Sequence, residues 1–227
     1  MSIVLGIDTS GVVCAGVAVD GAVAASGVVP DTRAHAEQLM PLVQQVLAEA
    51  GLTLAEIDRI AVGVGPGPFT GLRVGVVTAI TLGEALGVPV RGVCSLDVLA
   101  GQAVEEAVES GRSVVGAPSI AAVEATASFI VAADARRKEW YWASYEADGR
   151  RMAGPFVGDP DELPESPKVG PVTERPIALD AGVLAAIADD LPDAGLEPLY
   201  LRRPDAEVPT ARKSTLLPPR LAPRRIR

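Results

Sequence analysis

Val4-Leu5-Gly6-Ile7-Asp8-Thr9-Ser10-Gly11, continued by Val12–Val19 and Asp20-Gly21, is the stretch on which the fold turns. Val4–Ile7 is short, apolar and rich in branched residues, the composition of a buried strand. Asp8 to Gly11 supplies turn residues and Val12–Val19 a second strand. Asp20-Gly21 is the dipeptide of a type I′ hairpin turn, and Ala22–Val29 follows as a third strand. The same order returns later. Phe129–Ala133 is an apolar run ending in Asp134, Ala135–Glu139 is a polar turn, Trp140–Tyr145 is an aromatic-rich strand, and Asp148-Gly149 closes it. Strand, Asp, turn, strand and Asp-Gly, twice over, predicts an internal duplication.

Between the two copies the pattern changes period. Leu39, Leu42, Val43, Val46, Leu47 and Ala50 recur at helical spacing, predicting a helix over 34–50 with Gly51 as its stop. Pro41 predicts a kink or a later helix start, since it removes a backbone donor. Ile60–Val64 reads as a strand and Gly65-Pro66-Gly67-Pro68 as a sharp loop. Thr70 is a candidate cap for a helix reaching Leu86, Gly87 its stop, and Val88–Val93 a further strand. The order βββαβαβ over 1–93 predicts a mixed α/β lobe with a parallel crossover. Residues 150–176, rich in proline, read as irregular, and 178–191 as a final helix. The expected divisions are an N-terminal lobe over 1–100, a C-terminal lobe over 101–205 and a basic, proline-rich tail over 206–227.

Composition narrows the function classes. Of 227 residues, 48% are hydrophobic, enough for a sizeable core, and 4% are aromatic, too few for a surface that stacks unpaired bases. The net charge of −9 argues against autonomous nucleic-acid binding. The charge is uneven: Arg202–Arg227 carries a local +6 and the remainder −15. That end reads either as a solvated tail or as an arm touching RNA or an acidic partner. Cys14 and Cys94 lie in apolar stretches without a CxxC neighbour, the usage of a reduced, cytoplasmic protein. No basic region precedes the first apolar run, and no run of about 18 uncharged apolar residues occurs, so neither a signal peptide nor a membrane span is expected.

Five residues carry a candidate phosphate site: Asp8, Thr9, Ser10 and Gly11 in the first turn and Asp134 in the second. An Asp with small hydroxyl residues and a Gly can present backbone N–H groups and a metal-orienting carboxylate to phosphates, or can form an ordinary Asx turn. The second turn lacks glycine, which hinders close backbone approach. Gly65–Gly71 leads into a helix N-terminus, yet it matches neither GxxxxGK[ST] nor GxGxxG, and its prolines remove donors. Gly71, Gly75, Ala79 and Gly83 recur every four residues, a stripe that admits a close backbone neighbour. That neighbour is either the protein's own sheet or a partner helix. His35 is the sole histidine, and the position four residues on is Leu39, so no paired metal ligand exists there.

Taken in order, Val4-Leu5-Gly6-Ile7-Asp8-Thr9-Ser10, His35-Ala36-Glu37-Gln38-Leu39, Gly65-Pro66-Gly67-Pro68-Phe69-Thr70-Gly71-Leu72-Arg73-Val74-Gly75, Asp134-Ala135-Arg136-Arg137 and Pro198-Leu199-Tyr200-Leu201-Arg202 resemble the TsaB family of tRNA threonylcarbamoyladenosine biosynthesis proteins, over about residues 1–205. The resemblance implies a two-lobed, actin-like fold of the sugar-kinase and heat-shock type, each lobe a mixed α/β sheet with helices. It implies a non-catalytic subunit acting with a TsaD-type transferase and a TsaE-type ATPase to place threonylcarbamoyl on N6 of adenosine 37 in tRNAs reading codons that begin with A. The metal-binding His-x-x-x-His of TsaD corresponds here to His35 and Leu39, so the metal pair is lost. Neither metal nor cofactor is expected in this chain, with ATP or ADP conceivable at a complex interface and tRNA met through the complex. The expected partner surface is His35, Leu39, Met40, Val43 and Leu47 on the first helix, with Gly71, Leu72, Gly75, Val76, Ala79 and Gly83 on the second. The same surface predicts a homodimer when the chain is alone. One departure is a Gly-Asp-Gly-Ala segment of the family, for which the nearest match is Val169-Gly170-Pro171-Val172. The alternatives are an ATP-dependent phosphotransferase on Asp8 and the 134–139 turn, and a metallopeptidase-like enzyme.

Overall fold

A computed structural model describes residues 1–29, 35–109 and 128–202. The tail over 206–227 lies outside the described residues. The chain opens with β1 (Ile3–Asp8), β2 (Val13–Val19) and β3 (Ala22–Val29), an antiparallel meander. Positive φ at Asp20 and Gly21 makes the tight β2–β3 turn that the dipeptide predicts. The helix α1 (His35–Glu49) leads to β4 (Arg59–Gly63), which pairs with β1 in parallel. Pro41 sits inside α1, exposed. Then come α2 (Phe69–Leu86) and β5 (Val90–Val93), again parallel to β4. The first sheet therefore has the order β3-β2-β1-β4-β5.

Two details of α2 differ from expectation. It begins at Phe69, with Pro68, two residues before Thr70, in the cap position and no side-chain cap, so Thr70 is not the cap. Gly87 does end it, in the left-handed conformation. By length and composition α2 could cross a membrane, but here it packs on the sheet with one face buried.

A helix not anticipated from the sequence, α3 (Ser95–Glu109), joins the lobes. Its signal was present: Leu96, Leu99, Ala100, Ala103 and Ala107 have helical spacing and all are buried. The second lobe is β6 (Ser128–Asp134), β7 (Trp140–Glu146), β8 (Arg151–Gly158) and β9 (Lys168–Val169), ordered β8-β7-β6-β9. β8 corrects the irregular reading of 150–176. Pro155 is tolerated because β8 is an edge strand. In both lobes a meander comes first and a parallel strand joins its first member. Asp8 pairs with Cys14 and Asp134 with Trp140, so the two turns have equal length. This is the duplication that the sequence predicts.

The lobe boundary expected over 101–205 is corrected at its end. The short helix α4 (Ala181–Ile187) returns to the first sheet and lies across β1, β2 and β3. Gly6 and Gly16 make this possible, since a Cβ on either would overlap the backbone of Ala181 or Gly182. Leu199 then donates its N–H to the Val64 carbonyl at 2.8 Å, so the chain stays with the first lobe almost to its described end. α3 has one side in the second-lobe core with Phe129, Val131, Ala143 and Tyr145, while Val98 packs with Val93 and Leu184 on the other.

Candidate functional site

The turn after β1 is knitted inward. Asp8 is fully buried. Its Oδ1 accepts from the Ser10 N–H at 2.7 Å and the Ser10 hydroxyl at 2.6 Å, and its Oδ2 accepts from the Ser95 hydroxyl at 2.5 Å. Ser95 also takes the Gly65 N–H at 3.2 Å, so the acid locks the start of α3 and the Gly65–Pro68 loop together. Burial pushes the Asp8 carboxyl above its usual range, and the bonds from Ser10 and Ser95 pull the other way.

Thr9, also fully buried, is committed to α2. Its hydroxyl donates to the Gly71 carbonyl at 2.8 Å and accepts the Gly75 N–H at 3.1 Å. A Cβ on Gly75 would overlap that hydroxyl. The small-residue stripe thus faces the protein's own sheet, which corrects the partner-surface expectation. Gly71, Leu72, Gly75, Val76, Ala79 and Gly83 are buried, as are Leu39, Val43 and Leu47. Met40 is half-buried, and the side chain of His35 lies outside the described residues. The phosphate-site expectation meets the same obstacle. The polar atoms of Asp8 and Thr9 are consumed by tertiary contacts, Ser10 is turned to Asp8, and only Gly11 is exposed in that turn.

The second turn is built differently. Asp134 is exposed, with Oδ1 accepting from the Arg136 N–H at 2.7 Å. Arg136, Arg137 and Lys138 all have positive φ, between 54° and 65°, an arrangement that non-glycine residues rarely take in succession. Arg202 holds this turn: it donates to the Ala135 carbonyl at 2.7 Å and forms an ion pair with Glu139. Among the described residues no three His, Cys, Asp or Glu side chains are grouped to hold a metal ion.

The outward side of α2 is open to a ligand or partner. Val77 is 59% exposed and Phe69 38%. The guanidinium of Arg73 lies 3.7 Å over the Phe69 ring, and its Nε donates to the Tyr200 hydroxyl at 2.9 Å. The Phe69 and Tyr200 rings are 4.8 Å apart. Val74 and Thr78 complete a shallow groove of about 430 Å³. This patch lies on the face of α2 opposite the glycine stripe and was not among the expected site residues. The signal was there in Phe69, Arg73 and Val77, spaced four apart beside the glycines.

Two lobes with the same meander, joined by a helix whose first turn is bonded to both, define the actin-like, sugar-kinase class of fold. A solved structure agrees: an uncharacterized protein of Pseudomonas aeruginosa, described as similar to peptidase YEAZ, superposes with a TM-score of 0.66 at 29% identity, covering 89% of this chain and 100% of that one. Residues 19–178 match the family described as "TsaD: tRNA N6-adenosine threonylcarbamoyltransferase". The chain belongs to this family, on its TsaB (YeaZ) side. The Escherichia coli "tRNA threonylcarbamoyladenosine biosynthesis protein TsaB" is 36% identical over 118 residues, 51% of this chain and 43% of that protein. An uncharacterized protein of Mycobacterium leprae is 43% identical across 93% of this chain, which spans 58% of that relative's length. One from Mycobacterium tuberculosis is 40% identical over 91% of this chain and 95% of its own.

Proposed function

We propose that this chain is a non-catalytic subunit of the machinery that makes threonylcarbamoyladenosine in tRNA. It docks through the outward sides of α1 and α2 onto a TsaD-type transferase, which modifies N6 of adenosine 37, and a TsaE-type ATPase joins the assembly. Kinship with a protein named for that pathway supports the pathway. The observation that carries the role is the contrast within one helix. The side of α2 toward the first turn is used up by Thr9, while the opposite side leaves Phe69 and Val77 uncovered. A turn whose acid is sealed by two serines does not present its carboxylate to a nucleotide, so the chain contributes shape rather than a reacting group.

The exposed groove also offers a surface for pairing two copies of the chain when the transferase is absent. The test is size-exclusion chromatography with light scattering on the chain mixed with its cognate transferase. The wild type is expected to form a heterodimer. Val77→Glu should weaken association at least about tenfold, through a buried charge, while circular dichroism and urea unfolding stay unchanged. Association unaffected by Val77→Glu would move the interface elsewhere. Threonylcarbamoyl transfer by the purified chain alone would overturn the non-catalytic role.

A further inference from the structure

A second cleft, of about 720 Å³, opens on a part of the molecule that the proposed docking surface does not use. It lies between α3, the β7–β8 turn and the segment after α4. Asp97 and Arg151 contribute to its lining. Asp97 is 2% exposed. Its Oδ1 accepts from the Tyr145 hydroxyl at 2.8 Å, and Nη1 of Arg151 stands 3.5 Å from the same oxygen, too far for a good hydrogen bond. Oδ2 of Asp97 and Nη1 of Arg151 are both shut off from bulk water, and neither has a hydrogen-bond partner among the described residues. A buried carboxylate oxygen without a donor, beside a buried guanidinium nitrogen without an acceptor, is costly unless something supplies both. Desolvation pushes the Asp97 carboxyl upward, and Arg151 opposes that shift, as expected for a pair left incomplete.

The geometry points to a binding site for a free α-amino acid, with its ammonium on Oδ2 of Asp97 and its carboxylate on Arg151. An isolated anion satisfies Arg151 but faces Asp97, and the carboxylates of Glu105 and Asp190 at the cleft add to that repulsion. An isolated cation satisfies Asp97 but is repelled by Arg151. A ligand with both charges on neighbouring atoms completes both groups at once. Val104 and Ile187 supply apolar wall for a small side chain. The Arg151 side chain is 24% exposed and that of Asp97 3%, so a ligand meets the arginine first, and binding requires the pair to open at its cleft side. This assignment is independent of the docking role above.

Calorimetric titration of the full chain with glycine, L-alanine and L-leucine, each up to about 20 mM, tests it against methylamine and acetate as single-charge controls. At least one amino acid is expected to saturate with a Kd of about 1 mM or tighter, with both controls at least about tenfold weaker. Asp97→Asn and Arg151→Leu should each weaken binding about tenfold or more. Because Asp97→Asn alters a buried contact to Tyr145, Glu105→Trp serves as a second route: it narrows the mouth from an exposed position and should also weaken binding, with the circular dichroism spectrum unchanged. Failure of every amino acid to saturate overturns the assignment and leaves the pair bridged by water alone. Binding that survives Arg151→Leu and Glu105→Trp, or acetate binding equal to that of the amino acids, overturns it as well.

Discussion

The β1–β2 turn and the β6–β7 turn are the same object folded into opposite situations. Each follows a buried strand, each starts with Asp, and each spans the same interval to its pairing partner. The first turn is inside. Asp8 and Thr9 bond to α3 and α2, so two helices take their position from one loop. The second turn is outside. Its Asp134 accepts a neighbouring N–H, its three cations are exposed and in left-handed conformations, and a distant arginine ties it down. Duplication supplied two equal frames. Side chains then made one a structural hub and left the other a strained, solvated corner.

Four substitutions test that contrast, from the largest effect to the smallest. Gly75→Leu forces a side chain into the Thr9 hydroxyl, and overpacking against the fully buried Thr9 should cost about 3 kcal/mol in urea unfolding. Were the stripe an outer surface, the cost would be near zero. Thr9→Val keeps the shape but leaves the Gly75 N–H without its partner, for an expected loss of about 1–3 kcal/mol. Equal stability would show that the hydroxyl does not hold α2.

The third test is the pH dependence of Asp8. Its carboxyl is raised by burial above 3.8, so between 3.8 and the folded value the native state keeps a proton that the unfolded chain has released. The stability contribution of this group is full below 3.8 and is lost as pH rises through the folded value. Asp8→Asn removes that loss, so the variant should gain on the wild type as pH rises above about 4, read from urea midpoints across the range. A parallel pair of pH curves would sink the idea. Last, Lys138→Gly relieves one left-handed residue in the outer turn and should stabilise by about 0.5–1 kcal/mol, seen as a small rise in Tm. Destabilisation there would mean that the exposed turn carries more than local geometry.

Much of the fold, and less of the site, was readable along the chain. The Asp-turn repeat, the I′ dipeptide and the helical spacing of Leu39 to Leu47 all act within a few residues. Local terms of that kind survive in a linear pattern. α3 is equally periodic, but its apolar residues, alanine and valine apart from Leu96 and Leu99, give a weak signal between two stronger segments. β8 was obscured by Pro155, which reads as a breaker until the strand is known to lie at an edge.

By itself the sequence determined two meanders, two glycine-punctuated helices and a chain with one histidine where a metal pair would need two. It did not determine which side of α2 faces inward, because a stripe of glycines suits a sheet and a partner helix equally well. Thr9 decides that, from 66 residues away, by bonding to the Gly75 N–H. The return of α4 to the first sheet and the meeting of Asp97 with Arg151 were likewise settled only in three dimensions. The reason is that a buried hydrogen bond or close contact depends on where distant strands place their atoms, and no local spacing encodes that distance.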